Sequence, residues 1–263
     1  MTGVLSVGLM GSTDRGVLRE LAPRIEADGF HALWLNDGPG GDSLAGLAAV
    51  AEATSRLVLA TGVLPFDRRP AAEVAGAVER LGLPQDRLVL GVGSGGAARP
   101  LALVTDGIGE LRTRIAPLIV LGALGPRMRD LGARASDGLL LSWLTPAIAA
   151  KQAAQARRAA EEAGRPAPRI VLYARTAVDP AARGALEAEA AAYAGYPSYG
   201  ANFARLGISA IETTIGPDGI GDRIDEYLEV VDELVLRAIT PEGGLDDLVR
   251  FIEHDELAER LAR

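Results

Sequence analysis

Short apolar runs recur along the chain, and between them the apolar positions space out as on one face of a helix. The first run, Val4–Met10, closes at Gly11-Ser12. Thr13 or Asp14 then offers a cap for a helix over Val17–Ala27, stopped by Asp28-Gly29. Ala32–Leu35 is the second strand, ended by Asn36-Asp37-Gly38-Pro39-Gly40, and a helix over Leu44–Ala53 follows. Leu57–Thr61 is the third strand, and Pro65 and Pro70 bracket its exit loop. Pro70 suits the first position of a helix over Ala71–Leu81. Leu88–Val92 leads into Gly93-Ser94-Gly95-Gly96, and Ala97–Pro117 then shows no clear period. Leu118–Gly122 precedes a helix over Pro126–Ala135, and Gly138–Leu141 precedes one over Ile148–Ala163. Ile170–Val178 is followed by helical stretches over Ala181–Ala194, Tyr199–Leu206 and Gly219–Val230. Glu233–Arg237 is the last strand, and Leu245–Arg263 reads as one closing helix.

Eight near-continuous apolar strands, each followed by helix, indicate a parallel sheet of the α/β class. A doubly wound open sheet needs fewer strands. The count therefore predicts a (β/α)8 TIM barrel. No compositional break divides residues 1–263, so one domain is expected.

Composition narrows the chemistry. The chain has 263 residues, 48% of them hydrophobic, which is ample for a core. There is no cysteine, which excludes a disulfide scaffold and a thiol nucleophile. The two histidines, His31 and His254, are too few for most metal sites or triads, and no metal site is expected. His31 falls on the side of the barrel away from the strand ends, and His254 within the last helix facing solvent. A net charge of −8 disfavours nucleic acid as a partner. No run of 18 apolar residues exists and the N-terminus lacks a basic leader, so no membrane association and a cytoplasmic location are expected.

In such a barrel the site lies where the strands end, and glycine is concentrated there. Gly122-Ala123-Leu124-Gly125-Pro126 opens a helix whose amino end favours an anion, with Arg127 and Arg129 adding charge. The same segment serves equally well as a tight turn. Gly91-Val92-Gly93-Ser94-Gly95 is a GxGxG without the acidic partner of a dinucleotide fingerprint. Asp37 offers a base or an acceptor for a polar ring, or an Asx turn. Arg175 shares a strand face with Tyr173 and offers a partner for phosphate, carboxylate or a neighbouring acid. Trp34 and Trp143 offer stacking surfaces or core filling. No nucleophile motif, acid–base pair or metal cluster stands out, so the catalytic residues stay unknown. Chemistry would come from a bound cofactor.

The segments Asp28-Gly29-Phe30, Leu33–Asp37, Ala53–Leu57 and Thr61–Pro65 form one set of landmarks. Asp86–Gly95, Leu121–Met128, Ala135–Gly138, Trp143–Pro146 and Val231–Val235 form another. Together they resemble the luciferase-like monooxygenase superfamily, in particular its F420- and flavin-dependent oxidoreductases. The resemblance implies an F420-binding barrel, with FMN as the alternative cofactor. An alanine- and arginine-rich composition goes with sources in which F420 is common. The resemblance also implies a non-prolyl cis peptide at Gly62–Val63 behind the ring, and a ring contact from Asp37. Gly95 falls on the same rim. Phosphate contacts would come from Leu124, Gly125, Arg127, Met128 and Ser142, with Arg175 supplying charge.

Three departures from the family are plain, one of them a shortened connection between strands four and five, Ala97–Pro117. Gly38 stands where sugar-phosphate and alcohol dehydrogenases of the family carry His, and Gly96 stands where they carry Glu. The implied function is hydride transfer between the ring and a small organic substrate. The alternative is a degenerate, non-catalytic flavin-binding barrel with a binding or regulatory role. Exterior helices leave room for the homodimer common among relatives.

Overall fold

Eight parallel strands close on themselves in sequence order: β1 (Val4–Met10), β2 (Ala32–Asn36), β3 (Val58–Pro65), β4 (Leu88–Gly93), β5 (Leu118–Gly122), β6 (Gly138–Ser142), β7 (Arg169–Thr176) and β8 (Glu233–Ala238). The computed structural model describes residues 3–38 and 40–263, so Pro39 of the predicted turn lies outside the described residues. The strands read as continuous apolar runs because both faces are buried. On β2, Ala32 and Trp34 face the barrel interior, while Leu33 and Leu35 join the outer core beneath the helices. β6 and β7 repeat the pattern: Leu140, Val171 and Tyr173 point inward, and Leu139, Leu141, Ile170 and Leu172 outward.

The outer layer comprises α1 (Arg15–Ala27), α2 (Ser43–Ala53), α3 (Ala71–Arg80), α4 (Pro100–Arg114), α5 (Pro126–Ala135), α6 (Pro146–Glu162), α7 (Arg183–Gly195), α8 (Pro197–Leu206), α9 (Ile220–Leu228), α10 (Leu245–Ile252) and α11 (Asp255–Leu261). Asp14 caps α1, accepting from the N–H groups of Gly16 and Val17, and Asp42 caps α2 through Ala45. Glu26 receives the N–H groups of Ser55, Arg56 and Leu57. Burial pushes its carboxyl up, but these donors outweigh burial and hold it below the ordinary value.

Four expectations need correction. The aperiodic stretch after β4 contains α4, fifteen residues long. Pro70 is the cap residue before α3 rather than its first helical residue. β3 runs on to Pro65, through a register shift between Thr61 and Leu64. The closing helix is two helices. His254 breaks it with an extended backbone, and its ring Nδ1 accepts from the Glu256 N–H at 3.3 Å, so it is half-buried at a cap.

The floor of the barrel is polar. Glu233, 2% exposed, accepts from Ser6 Oγ and Trp34 Nε1, both at 2.6 Å, and from Arg169. Arg169 also meets His31 Nε2 at 2.8 Å. These residues tie together β7, β8, β1 and the start of β2, where the sheet closes.

Candidate active site at the barrel mouth

The mouth is built around the end of β3. The Gly62–Val63 peptide is cis, and both residues are half-buried, facing the opening. Glycines clear the space around Val63: a Cβ at Gly93 or Gly122 would lie 2.9 Å from a Val63 methyl. Beneath Gly62 stand the rings of Tyr173 and Trp34 with Leu140. The Asn36 amide donates to the Gly62 carbonyl in a short hydrogen bond, and Tyr173 Oη donates to Asn36 Oδ1 at 2.7 Å. Burial pushes the Tyr173 hydroxyl well above its ordinary value, against the opposing pull of Arg237 and Arg175. It stays a neutral donor, which fixes the orientation of Asn36. Met10, 38% exposed, stands at the rim from β1.

The carboxylate of Asp37 accepts from Ser43 Oγ at 2.8 Å and Ser43 N at 3.2 Å, and pairs with Arg69 at 3.2 Å. It therefore anchors the start of α2 beside the rim. Gly95 has φ +56°, and a Cβ there would sit 1.8 Å from an Asp67 oxygen. The adjacent Gly96 N–H donates to Asp67 at 2.8 Å. The GxGxG segment is thus a turn that locks two neighbouring mouth loops together.

At β5 the chain passes Leu124 and Gly125, the latter capping α5 without any side-chain acceptor. A Cβ at Gly125 would meet nothing within 4 Å, so the approach to this helix end is open. Arg127 is exposed and lines a groove of about 490 Å³ between α4 and α5, with Leu101, Asp130 and Arg134. Met128 packs against the core. The arginine that turns inward is Arg129, which donates to the Leu124 carbonyl at 3.0 Å.

Ser142 ends β6 and accepts from Arg175 Nη1 at 2.6 Å. Arg175 is held on every side. Its guanidinium lies 4.0 Å from the Trp143 ring centroid and 4.7 Å from that of Tyr193, and Nε pairs with Glu189 at 3.1 Å. Trp143 has φ +58°, a left-handed backbone that a bulky residue rarely adopts. Its ring joins Tyr193, Tyr199 and Phe203 in an aromatic wall contributed by α7 and α8, edged by Tyr196 at 53% exposure. Trp34, by contrast, is inside the barrel.

The structure brings Gly62, Val63 and Ser142, together with Leu124 and Gly125, to one mouth. Asp37 and Gly95 lie in its flanking loops, Arg175 lies in its wall, and Arg127 lines the groove outside. Sequence reasoning missed Asn36, which reads as a loop residue. It also missed the contribution of α8, whose residues reach the mouth only through the chain's return after β7. Among the described residues no three His, Asp or Glu side chains are grouped to hold a metal. No described helix is long and apolar enough to cross a membrane.

The model of the luciferase-like monooxygenase family matches residues 5–114 and 99–254. No curated protein sequence matches significantly. Among solved structures, the chain is similar to an F420-dependent secondary alcohol dehydrogenase in complex with an F420-acetone adduct. The TM-score is 0.77 at 16% identity, over 100% of both chains. A monooxygenase from Streptomyces bottropensis gives 0.75 at 20% identity, over 98% of both chains. A riboflavin lyase with modified FMN and substrate riboflavin gives 0.71 at 15% identity, over 100% of this chain and 92% of the other. At such identities the likeness is one of fold.

Proposed function

Since this chain belongs to the luciferase-like monooxygenase family, we propose that it is an oxidoreductase that binds a phosphorylated deazaflavin or flavin at the barrel mouth and acts on a small organic substrate. The observation that carries this reading is the shelf made by Gly62 and Val63. It is half-exposed, flanked by glycines at 93 and 122, and backed by Trp34 and Tyr173. Any side chain in place of those glycines would push Val63 out of position, so the glycines keep the shelf in the shape on which a flat ligand can lie. F420 is the first candidate, by likeness to a fold neighbour that carries an F420 adduct, and FMN is the second.

Residues of this chain would hold such a group as follows. Gly62 and Val63 support one ring face, Ser142 and the Leu124–Gly125 segment face its phosphate end, and Met10 borders the ring from β1. When bound, the group supplies hydride transfer. Asn36 and Tyr173 keep the Gly62 carbonyl turned away from the opening, and the aromatic wall from α7 and α8 excludes water from one side. The described acids around the rim, Asp37, Asp67 and Glu189, are each engaged by protein partners. That engagement favours a second reading, a barrel that binds the group without turnover.

Titration of the purified protein with F420 and FMN, followed by fluorescence, tests the reading. Saturable binding of one of them is expected, followed by substrate-dependent reoxidation of the reduced, bound form across a panel of small alcohols, ketones and aldehydes. Binding with no turnover leaves the second reading. Binding of neither overturns both.

A further inference from the structure

Two arginines stand side by side at the barrel mouth. Arg175 of β7 and Arg237 of β8 are register partners. Each lies two residues beyond an inward-facing side chain, Tyr173 and Val235, so both rise on the inner face. Like charges opposed on adjacent strands repel. Burial raises the Tyr173 hydroxyl and the charge of Arg237, ahead of that of Arg175, opposes it, so both guanidinium groups bear on one spot. Glu189 of α7 is their one carboxylate among the described residues, and it favours Arg175. Arg175 Nε lies 3.1 Å from Glu189 Oε1, whereas Arg237 Nη2 lies 3.8 Å from Oε2. On its other side Arg237 has Gly8 of β1 as register partner, which brings no side chain.

The shortfall falls on Arg237. Its Nη1 donates to the Ala238 carbonyl. The 3.8 Å between its Nη2 and Glu189 is too long for a hydrogen bond. Nε and Nη2, which share one edge of the planar group, therefore have no acceptor within reach among the described residues. The side chain is 12% exposed, so that edge is confined but not sealed. Two guanidinium groups thus face one carboxylate, and the edge left over matches a second one, whose two oxygens meet Nε and Nη2 in parallel.

We propose that the Nε–Nη2 edge of Arg237 binds a carboxylate of the substrate, so that the substrate is a small organic acid. This rests on the reading of the mouth given above and names the class of molecule that it takes. Arg175 stays with Glu189 and Ser142 and adds charge from behind. The carboxylate is the handle, and the carbon that exchanges hydride lies elsewhere in the same molecule. Tyr193, one turn beyond Glu189 on α7, presents a ring to the apolar part of such an acid.

The test uses the whole chain, with sodium benzoate as the probe, neutral benzamide as its isostere and sodium chloride at matched ionic strength. Benzoate is expected to raise the melting temperature, and neither control to do so. Arg237→Met lowers the benzoate affinity measured by calorimetry about tenfold to hundredfold, the usual worth of a charge-assisted bond. Glu189→Gln covers the case in which Arg237→Met fails to fold. It removes the competing carboxylate, so benzoate affinity rises. An Arg237 that serves only to hold Glu189 would leave benzoate affinity unchanged in both variants, which would overturn the proposal. So would equal shifts with benzoate and benzamide. Displacement of bound F420 or FMN by benzoate would assign the edge to the cofactor and overturn it too. Benzoate binding that needs Arg237, in a chain that takes neither F420 nor FMN, keeps the acid site and ends the oxidoreductase reading. Cofactor binding without any response to benzoate does the reverse.

Discussion

At the residue scale the mouth depends on what is missing from its side chains. Val63 is β-branched and stiff, so it cannot easily swing away from a new neighbour. A methyl added at Gly122 would sit 2.9 Å from a Val63 methyl, and one added at Gly93 equally close. Gly122→Ala should therefore cost about 1–3 kcal/mol through overpacking. Val63→Ala should remove most of that cost, because the clashing methyl is gone. Urea denaturation of the two single variants and the double variant measures the coupling. Additive losses would show that Val63 does not fill this space. Much of this was readable from the sequence, since glycine at strand ends marks close approach and Gly62–Val63, Ser142 and Gly125 all reach the mouth. The role of Asn36 was not, because its partner Tyr173 lies 137 residues away and meets it only across the closed barrel. A neighbouring acid was among the partners the sequence offered for Arg175, but neither its identity, Glu189, nor the stacking against aromatic rings was readable. The strand period gives the face of Arg175 but not what α7 lays against it.

At the scale of elements, α4 shows how a helix can hide. Its buried positions are Val104, Gly107, Ile108 and Leu111, the spacing expected of a core-facing stripe. One of the four is glycine, so a count of apolar side chains finds a gap. The gap is filled by the ring of Phe66: a Cβ at Gly107 would lie 2.5 Å from it. Gly109, two residues on, is exposed with nothing within 4 Å. The two glycines should therefore respond oppositely to alanine. Gly109→Ala should stabilise by roughly 0.5–1 kcal/mol through helix propensity. Gly107→Ala gains the same propensity but loses about 1–3 kcal/mol to overpacking against Phe66, for a net loss. Thermal melts compared side by side decide this, and a gain in both variants would mean that Phe66 is free to move. The broken closing helix has a similar origin. His254 fits the solvent side of a continuous helix, yet its ring serves the Glu256 N–H.

At the scale of the whole molecule, closing a barrel requires the last strand to find the first, and this chain places a buried charge at that seam. Glu233 on β8 is held by Ser6 of β1, Trp34 of β2 and Arg169 of β7. His31, just before β2, extends the cluster. An arginine can only donate, so the contact with Arg169 at 2.8 Å requires an unprotonated Nε2 on His31. Burial pushes the His31 pKa below its ordinary 6.5 and the Arg169 charge lowers it further, while Glu233 pulls the other way. The folded state therefore holds His31 neutral where the unfolded chain has begun to protonate it. Between 6.5 and the depressed folded value the unfolded state binds more protons, so stability rises with pH across that window. The contribution is complete above about pH 6.5 and is lost as the pH falls through the folded value. The carboxylate of Glu26, also held below its ordinary 4.5, acts in a separate and more acidic range. Equilibrium unfolding in urea between pH 7.5 and 5, in the parent and in His31→Gln, separates the two. The amide can still accept from Arg169 but cannot titrate, so the variant should lose most of the slope above pH 5 and keep the acid limb. An unchanged slope in His31→Gln would mean that the seam is held without regard to the charge on this imidazole. The pH sensitivity of the closed barrel would then lie elsewhere.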